Sequence, residues 1–251
     1  MNMKCVGARV IGSNHSICQD EILYKCNKDF CIIAVSDGAG SKQYSHLGAR
    51  IALYVLERFF NGFDFAKAEE MDYSFVEEGI KKELLYEIKS AIKIDSWKHD
   101  LSENDYSCTL AFVLVYKDKF YIKGHIGDGG ILSLRGDKMQ VISAPSNGEY
   151  KNETFFVTSE NAKDYLNISI KDIGDEKAFL VCTDGIGDLL FQEKSGEYSI
   201  SPVAKTLCDW LLNSDSDEEI ELVGMAYEAN LRDVFAKKSK DDLSFCVLTR
   251  S

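Results

Sequence analysis

The feature that most constrains this chain is a set of Asp-Gly steps, each separated by a single residue from the predicted strand before it. Asp37, Asp128 and Asp184 all stand at such positions. The run before Asp37, from Phe30 to Val35, is apolar throughout, as expected of a strand buried on both faces. Asp-Gly is also the commonest hairpin dipeptide, so each step alone predicts only a turn. Asp184 differs, because the spacing from Ile186 to Phe191 predicts a helix there and not a returning strand.

If these strand ends meet, several carboxylates share a small space. Asp188 would lie one helical turn after Asp184, and Asp241 and Asp242 directly precede the last apolar run. Two carboxylates about 4 Å apart repel by roughly 4 kcal/mol at an effective dielectric constant of about 20, so the cluster needs protons or cations. Oxygen ligands favour Mg²⁺ or Mn²⁺ over Zn²⁺. Two such ions side by side activate water for attack on a phosphate ester, so the pattern indicates a hydrolytic metal site.

The order of predicted elements indicates an α+β fold. Strands and helices come in blocks, which favours packed layers over a doubly wound parallel sheet. Apolar residues at every fourth position, from Leu47 to Phe59 and from Val76 to Ile92, predict two amphipathic helices. The least periodic segment, 143–175, is expected to be a surface insert over the site. The predicted strands cover 6–11, 21–25, 30–35, 108–116, 120–126, 130–134, 139–142, 154–157, 178–182 and 243–248, and the later helices cover 202–212 and 217–236.

Composition restricts the function classes. The 251 residues carry 29 basic and 41 acidic side chains, and the net charge of −12 disfavours binding to nucleic-acid phosphates. No run approaches the roughly 20 uncharged apolar residues of a membrane helix, and the N-terminus lacks a signal-peptide core. The eight cysteines are scattered and mostly lie in apolar runs, which predicts buried reduced thiols in a cytoplasmic protein. No linker-like tract divides the chain, which predicts one domain over residues 1–251.

Other phosphate chemistries lack their sequence signatures. The chain has no Gly-x4-Gly-Lys-Ser/Thr loop, no cysteine followed six residues later by arginine, and no Gly-x-Ser-x-Gly elbow. Its four histidines are too dispersed for a histidine-rich dimetal site.

Six short motifs, taken in order, resemble those of the metal-dependent type 2C serine/threonine protein phosphatases in their compact bacterial form. From the first motif at residue 12 to the end of the predicted strand that contains the last motif, at residue 248, they cover nearly the whole chain. The resemblance implies a central antiparallel β-sandwich flanked by pairs of α-helices, a four-layer αββα arrangement, with a two-metal site at one end. The motifs are Gly12-Ser13-Asn14-His15 with Gln19-Asp20, Ser36-Asp37-Gly38-Ala39-Gly40-Ser41, Ser107-Cys108-Thr109, Gly127-Asp128, Thr183-Asp184-Gly185-Ile186-Gly187-Asp188 and Lys240-Asp241-Asp242-Leu243-Ser244.

The resemblance implies a metal-binding role for four residues. It places Asp37 between two Mn²⁺ or Mg²⁺ ions and has the Gly38 carbonyl oxygen bind one of them. Asp184 and Asp241 would complete the ligands of the first ion. Asp37, Asp184 and Asp241 are therefore the expected catalytic residues.

The surroundings of the two ions are implied in the same way. Asp128 and Asp188 match positions that hold a third, weaker metal ion in bacterial relatives. Asp20 would orient metal-bound water, with Gln19 beside it. His15 would contact the substrate phosphate.

Three residues depart from the family pattern. His15 stands where many relatives have an arginine that grips phosphate through two parallel donors, which a neutral imidazole does less well. Gln19 replaces a glutamate near the second ion and should hold that ion less strongly. Ala39 replaces a histidine that is a proposed general acid in eukaryotic relatives. These changes are expected to affect the catalytic rate and the affinity for substrate more than the class of reaction.

The leading hypothesis is a metal-dependent phosphatase acting on phosphoserine and phosphothreonine in proteins. Its expected partners are a phosphorylated protein substrate and a cognate Ser/Thr kinase, with no nucleic acid or membrane, and the chain is expected to be a monomer. A catalytically weak or inactive regulator that binds metal or phosphopeptide is the alternative, motivated by His15 and Gln19. A small-molecule phosphatase using the same metals is a third possibility.

Overall fold

Two antiparallel five-stranded sheets form the centre of the computed structural model, which describes residues 3–146 and 154–250. The first sheet has the strand order β1-β12-β9-β6-β7 and the second has the order β2-β3-β4-β5-β8. Their strands are β1 Met3–Val10, β2 Glu21–Cys26, β3 Phe30–Ser36, β4 Leu110–Tyr116, β5 Phe120–Ile126, β6 Gly130–Arg135, β7 Lys138–Ser143, β8 Asn167–Asp172, β9 Glu176–Cys182 and β12 Leu243–Arg250; β10 Phe191–Lys194 and β11 Glu197–Ile200 form a separate hairpin.

Helices cover both outer faces of this sandwich. The second sheet packs against α1 and α3, and the first packs against α6 and α7. Sequence signals set several helix ends: Asp72 caps the start of α3, and Ser201 caps α6 with Pro202 at its first position. The helices are α1 Ser45–Asn61, α2 Phe65–Glu69, α3 Tyr73–His99, α4 Ala162–Tyr165, α5 Asp184–Leu190, α6 Pro202–Leu212 and α7 Asp217–Asn230, with a 3-10 turn at Glu103–Tyr106 and a π turn at Leu231–Phe235.

Apolar side chains fill three layers, one between the sheets and one under each helix pair. Strand β3 contributes to two of them, because Cys31, Ile33 and Val35 face the other sheet while Ile32 and Ala34 face α1 and α3. Both faces of this strand are therefore buried, which explains its unbroken apolar sequence. The predicted α+β sandwich with four layers is confirmed.

The structure corrects several predicted elements. Residues 154–157 do not form a strand, and α7 ends at Asn230, where the π turn replaces the predicted helix up to residue 236. The aperiodic segment 143–175 contains α4 and β8, and its residues 147–153 lie outside the described part of the chain. No helix within the described residues is long and apolar enough to cross a membrane.

The cysteine prediction was wrong at one pair. Cys26 and Cys31 form a disulfide across the hairpin of β2 and β3, whereas reduced thiols were expected. The register places these two residues directly opposite each other. The other six cysteines are free, and four of them, Cys108, Cys182, Cys208 and Cys246, are buried as predicted.

Candidate active site

Three aspartates from different strand ends meet at one end of the sandwich. Asp37 directly follows β3, Asp128 lies between β5 and β6, and Asp184 begins α5 after β9. A carboxylate oxygen of each lies within 4.8 Å of the other two. The Asp-Gly steps singled out in the sequence therefore converge, and we call these three residues the aspartate cluster.

The surroundings of the aspartate cluster disfavour its negative charge. Burial, followed by the charges of Asp20 and Asp184, raises the pKa of Asp37 well above its usual range. Burial and the charges of Asp128 and Asp241 raise the pKa of Asp184 to about 8. Both shifts favour the protonated carboxyl groups, whereas a bound cation would favour the charged carboxylates and so offset the shifts.

Asp128 supplies a separate indication that a cation fits here. Thr154 donates a hydrogen bond from Oγ1 to Asp128 Oδ2 at 2.5 Å. The other carboxylate oxygen, Oδ1, is buried and has no hydrogen-bond partner among the described residues. A buried carboxylate oxygen without a partner raises the free energy of the folded protein. A hard cation is the partner that a site made only of oxygen ligands would bind. Sequence reasoning missed Thr154, which lay in a segment predicted as a strand.

Backbone contacts hold Asp37 in place. The Asp37 N–H donates to Thr109 Oγ1 at 2.9 Å, and the Thr109 N–H donates to the Asp37 carbonyl oxygen at 2.8 Å. Gly38 donates its N–H to the Gln19 carbonyl oxygen at 3.1 Å. A Cβ on Gly38 would lie only 2.7 Å from a backbone carbon of Ser45, so only glycine fits. The Ser107-Cys108-Thr109 motif thus positions the loop that carries Asp37.

Asp20 lies against the aspartate cluster. It is 1% exposed, and its charge contributes to the raised pKa of Asp37. Thr183 Oγ1 donates to Asp20 Oδ2 at 2.9 Å. Burial raises the pKa of Asp20 to about 7. The structure therefore places Asp20 where it can accept or hold a proton beside Asp37, next to the expected metal position.

Asp241 and Asp188 lie outside the group of three. The side chain of Asp241 is 51% exposed, at the rim of the site. The charge of Asp241 still contributes to the raised pKa values of Asp184 and Asp128. The charge of Asp188 contributes to the raised pKa of Asp128. The charges of both residues therefore act on the aspartate cluster, although their carboxylate oxygens do not lie within 4.8 Å of all three of its members.

Asp242 organises the loop that carries His15 and Gln19. Its side chain is 2% exposed and accepts from the Gly12 N–H at 2.7 Å, from the Gln19 N–H at 2.6 Å and from His15 Nδ1 at 2.9 Å. The sequence signal for this role was only an acidic residue before the last strand. Asp242 fixes the imidazole through Nδ1 and leaves Nε2 directed away from that bond.

The side chain of Gln19 is used within the protein. Its Nε2 donates to Ser45 Oγ at 2.6 Å and to the Lys42 carbonyl oxygen at 3.1 Å. Gln19 therefore holds the loop between β3 and α1 against the loop that follows β1. The structure does not bring it into the aspartate cluster.

An open groove of about 490 Å³ adjoins the site. Lys42 lines it, is half-buried and forms no ion pair with any described residue. His46 also lines it, and burial together with the charge of Arg50 lowers the pKa of His46. The groove thus offers one unpaired ammonium beside a strongly acidic site. Its lining residues are Asn14, His15, Ser16, Ile17, Gln19, Gly40, Ser41, Lys42, Gln43 and His46.

Comparison with known proteins identifies a matching family and similar folds. The sequence model described as protein phosphatase 2C matches residues 7–232. Serine/threonine-protein phosphatase 3 of Escherichia coli (strain K12) is 25% identical over 195 residues, which cover 74% of each chain. Serine/threonine phosphatase Stp1 from Staphylococcus aureus has a similar structure, with a TM-score of 0.66 and 12% identity over 100% of this chain and 96% of that one. The catalytic domain of the serine threonine protein phosphatase PstP, in complex with two manganese ions, gives a TM-score of 0.63 and 12% identity over 98% of this chain and 97% of that one.

Proposed function

The chain belongs to the protein phosphatase 2C family, and on that basis we propose that the aspartate cluster is the metal centre of a protein serine/threonine phosphatase. The enzyme is a metal-dependent hydrolase of phosphoserine and phosphothreonine in proteins. The assignment to this site rests on the convergence of three carboxylates within 4.8 Å of one another. Burial and mutual repulsion raise the pKa values of these groups.

The donor set fits Mn²⁺ or Mg²⁺. All the candidate ligands are oxygens, and the buried Asp128 Oδ1 has no partner in the described protein. We propose that Asp37, the Gly38 carbonyl and the carboxylates of Asp184 and Asp241 would hold two such ions. When bound, the ions supply Lewis-acid activation of water and of the phosphate ester.

A third, weaker ion is proposed at Asp128 and Asp188. Asp188 is exposed on α5, four residues and one helical turn after Asp184. Its charge contributes to the raised pKa of Asp128, which supports a shared site. Asp20, whose charge contributes to the raised pKa of Asp37, is proposed to hold a proton beside Asp37 and to orient water there.

The groove is the proposed binding site for the phosphorylated side chain. A phosphate dianion needs cationic or donor groups to offset the acidic surroundings. Lys42 offers an ammonium without an ion pair to any described residue, and His15 offers Nε2 while Asp242 holds Nδ1. These two side chains are proposed to take the place of the arginine expected in many relatives.

The substrate is a phosphorylated protein. A cognate Ser/Thr kinase, a monomeric state, a cytoplasmic location and a single domain over residues 1–251 are proposed with it. Their support is the phosphatase family itself, together with a fold in which both sheets share one continuous inner core.

The test is phosphate release from a panel of phosphoserine, phosphothreonine and phosphotyrosine peptides after chelation and with added Mn²⁺ or Mg²⁺. Wild type should release phosphate from the first two classes only when metal is supplied. Asp37→Asn should lose at least about a hundredfold in kcat, as expected when a ligand shared by both ions is removed. Asp137→Asn is the matched control, since that side chain is 91% exposed. Metal binding without release would favour the non-catalytic regulator instead.

A further inference from the structure

A second cluster of reactive groups lies at the opposite end of the strands that carry the active site. Cys5 belongs to β1, Cys26 ends β2 and Cys31 is near the start of β3, whereas Asp37 follows the other end of β3. The three sulfur atoms all lie within 4.8 Å of one another. We call these residues the cysteine cluster, and the phosphatase reaction makes no use of it.

The three cysteines differ in exposure. Cys26 is exposed, Cys5 is half-buried and Cys31 is 0% exposed. Cys26 is bonded to Cys31, and its sulfur also lies 3.4 Å from that of Cys5. The solvent-facing sulfur of the cluster therefore touches both of the others.

The backbone holds Cys26 and Cys31 in this arrangement. They are opposite partners in the antiparallel register of β2 and β3. The connecting turn is closed by the Asn27 N–H donating to the Phe30 carbonyl oxygen at 2.9 Å. Asn27 Oδ1 in turn accepts from the N–H groups of Asp29 and Phe30, each at 2.8 Å. Such a turn keeps the two sulfurs together in the reduced state as well.

Cys5 comes from the other sheet. Its strand, β1, pairs with β12 in the first sheet, whereas β2 and β3 belong to the second. Two different disulfides can therefore share Cys26: one to Cys31 within a sheet and one to Cys5 between the sheets. A single bond can move between these positions with little motion, because the third sulfur already lies in contact.

We propose that Cys5, Cys26 and Cys31 form a thiol–disulfide exchange centre that reacts with low-molecular-weight disulfides through Cys26. In the reduced protein, the Cys26 thiolate attacks one sulfur of a disulfide RSSR, forms Cys26–S–S–R and releases RS⁻. Cys31 or Cys5 then loses its proton and attacks Cys26 Sγ, which expels a second RS⁻. Two RSH form as two protein thiols become one internal disulfide, so atoms and electrons balance.

The order of these steps follows from exposure. Burial raises the pKa of the Cys5 thiol to about 12, which keeps it protonated and makes it slow to react with a reagent in solution. Cys31 is enclosed by the core between the sheets. Cys26 is therefore the entry point, and its two neighbours act as resolving thiols.

The experiment uses the full chain in a Cys18→Ser background, because Cys18 is the remaining free cysteine that is not buried and lies outside the cysteine cluster. The reduced protein is treated with oxidised glutathione and quenched by alkylation. Intact mass and non-reducing peptide maps then give the fraction with a glutathione adduct and the internal disulfides formed. Circular dichroism checks that each variant is folded.

In the parent protein the adduct should stay below about a tenth of the molecules, because a neighbouring thiol has a far higher effective concentration than the released glutathione. Cys31→Ala should give the Cys5–Cys26 disulfide. The double variant Cys5→Ala, Cys31→Ala should accumulate the adduct on Cys26, at least about tenfold above the parent. Cys26→Ser should give no adduct.

Two results would overturn the proposal. One is an adduct on Cys26→Ser as abundant as on the double variant, which would place the reactive thiol elsewhere. The other is a stable Cys26 adduct in Cys31→Ala, which would show that Cys5 does not resolve it. Cys26 is exposed, so its serine variant should fold and remains informative even if the buried replacements do not.

Discussion

Replacing Asp184 with asparagine should stabilise the metal-free protein at neutral pH. Burial and the charges of Asp128 and Asp241 raise the pKa of Asp184 from 3.8 to about 8. The folded protein therefore binds a proton at this residue that the unfolded chain releases above about pH 4. As a result, the contribution of Asp184 to the free energy of unfolding decreases as the pH rises from about 4 to about 8.

The size of the effect follows from the same shift. Keeping the carboxyl protonated at pH 7, about three units above its ordinary pKa, costs the folded state roughly 4 kcal/mol at about 1.4 kcal/mol per unit. The amide of asparagine is neutral and nearly isosteric, so it avoids this cost. Protons shared among the neighbouring carboxylates reduce the gain, and we expect about 2–4 kcal/mol at pH 7 and almost none at pH 4.

Urea denaturation in the presence of a chelator measures this difference at both pH values. Asp188→Asn is the matched control on the same helix, and since that residue is exposed its effect should stay within about 0.5 kcal/mol. Added Mn²⁺ should stabilise wild type more than Asp184→Asn. An Asp184→Asn variant no more stable than wild type at pH 7 without metal would refute the electrostatic reasoning.

Three further changes test the neighbouring residues. Gly12→Ala should lower kcat at least about tenfold and destabilise the protein by about 1–3 kcal/mol in thermal melts, because its Cβ would lie 2.3 Å from a backbone carbon of Asp241; unchanged kinetics would contradict the contact. Lys42→Ala should raise KM for a phosphopeptide several-fold with kcat within about twofold, whereas Gln43→Ala should leave both KM and kcat unchanged. An equal rise in KM for both variants would show that the Lys42 ammonium has no special role. Thr154→Val should weaken Mn²⁺ binding about tenfold in calorimetry by removing the hydrogen bond to Asp128; unaltered affinity would show that this contact does not tune the site.

Sequence patterns predicted the parts of the structure that depend on local periodicity. The unbroken apolar run of β3 predicted a strand buried on both faces, and the structure covers it from both sides. The Asp-Gly steps likewise predicted convergent strand ends, which the aspartate cluster shows. Strand β8 was missed because it lies at a sheet edge, and only Ile168 and Ile170 of its six residues are buried.

Contacts between distant residues could not be predicted in this way. Asp242 accepts hydrogen bonds from residues 223 to 230 positions earlier in the chain, and no local pattern encodes such a pairing. The disulfide is a different case. The predicted strands 21–25 and 30–35 already implied a hairpin that sets Cys26 opposite Cys31, yet the scattered spacing of the cysteines favoured reduced thiols.

The most direct test of the metal centre is an anomalous difference map from crystals grown with Mn²⁺. We predict two Mn²⁺ peaks on either side of Asp37, with Asp184 and Asp241 as ligands of one ion, and a weaker third peak between Asp128 and Asp188. Manganese bound elsewhere, or an aspartate cluster without any peak at saturating Mn²⁺, would contradict this prediction.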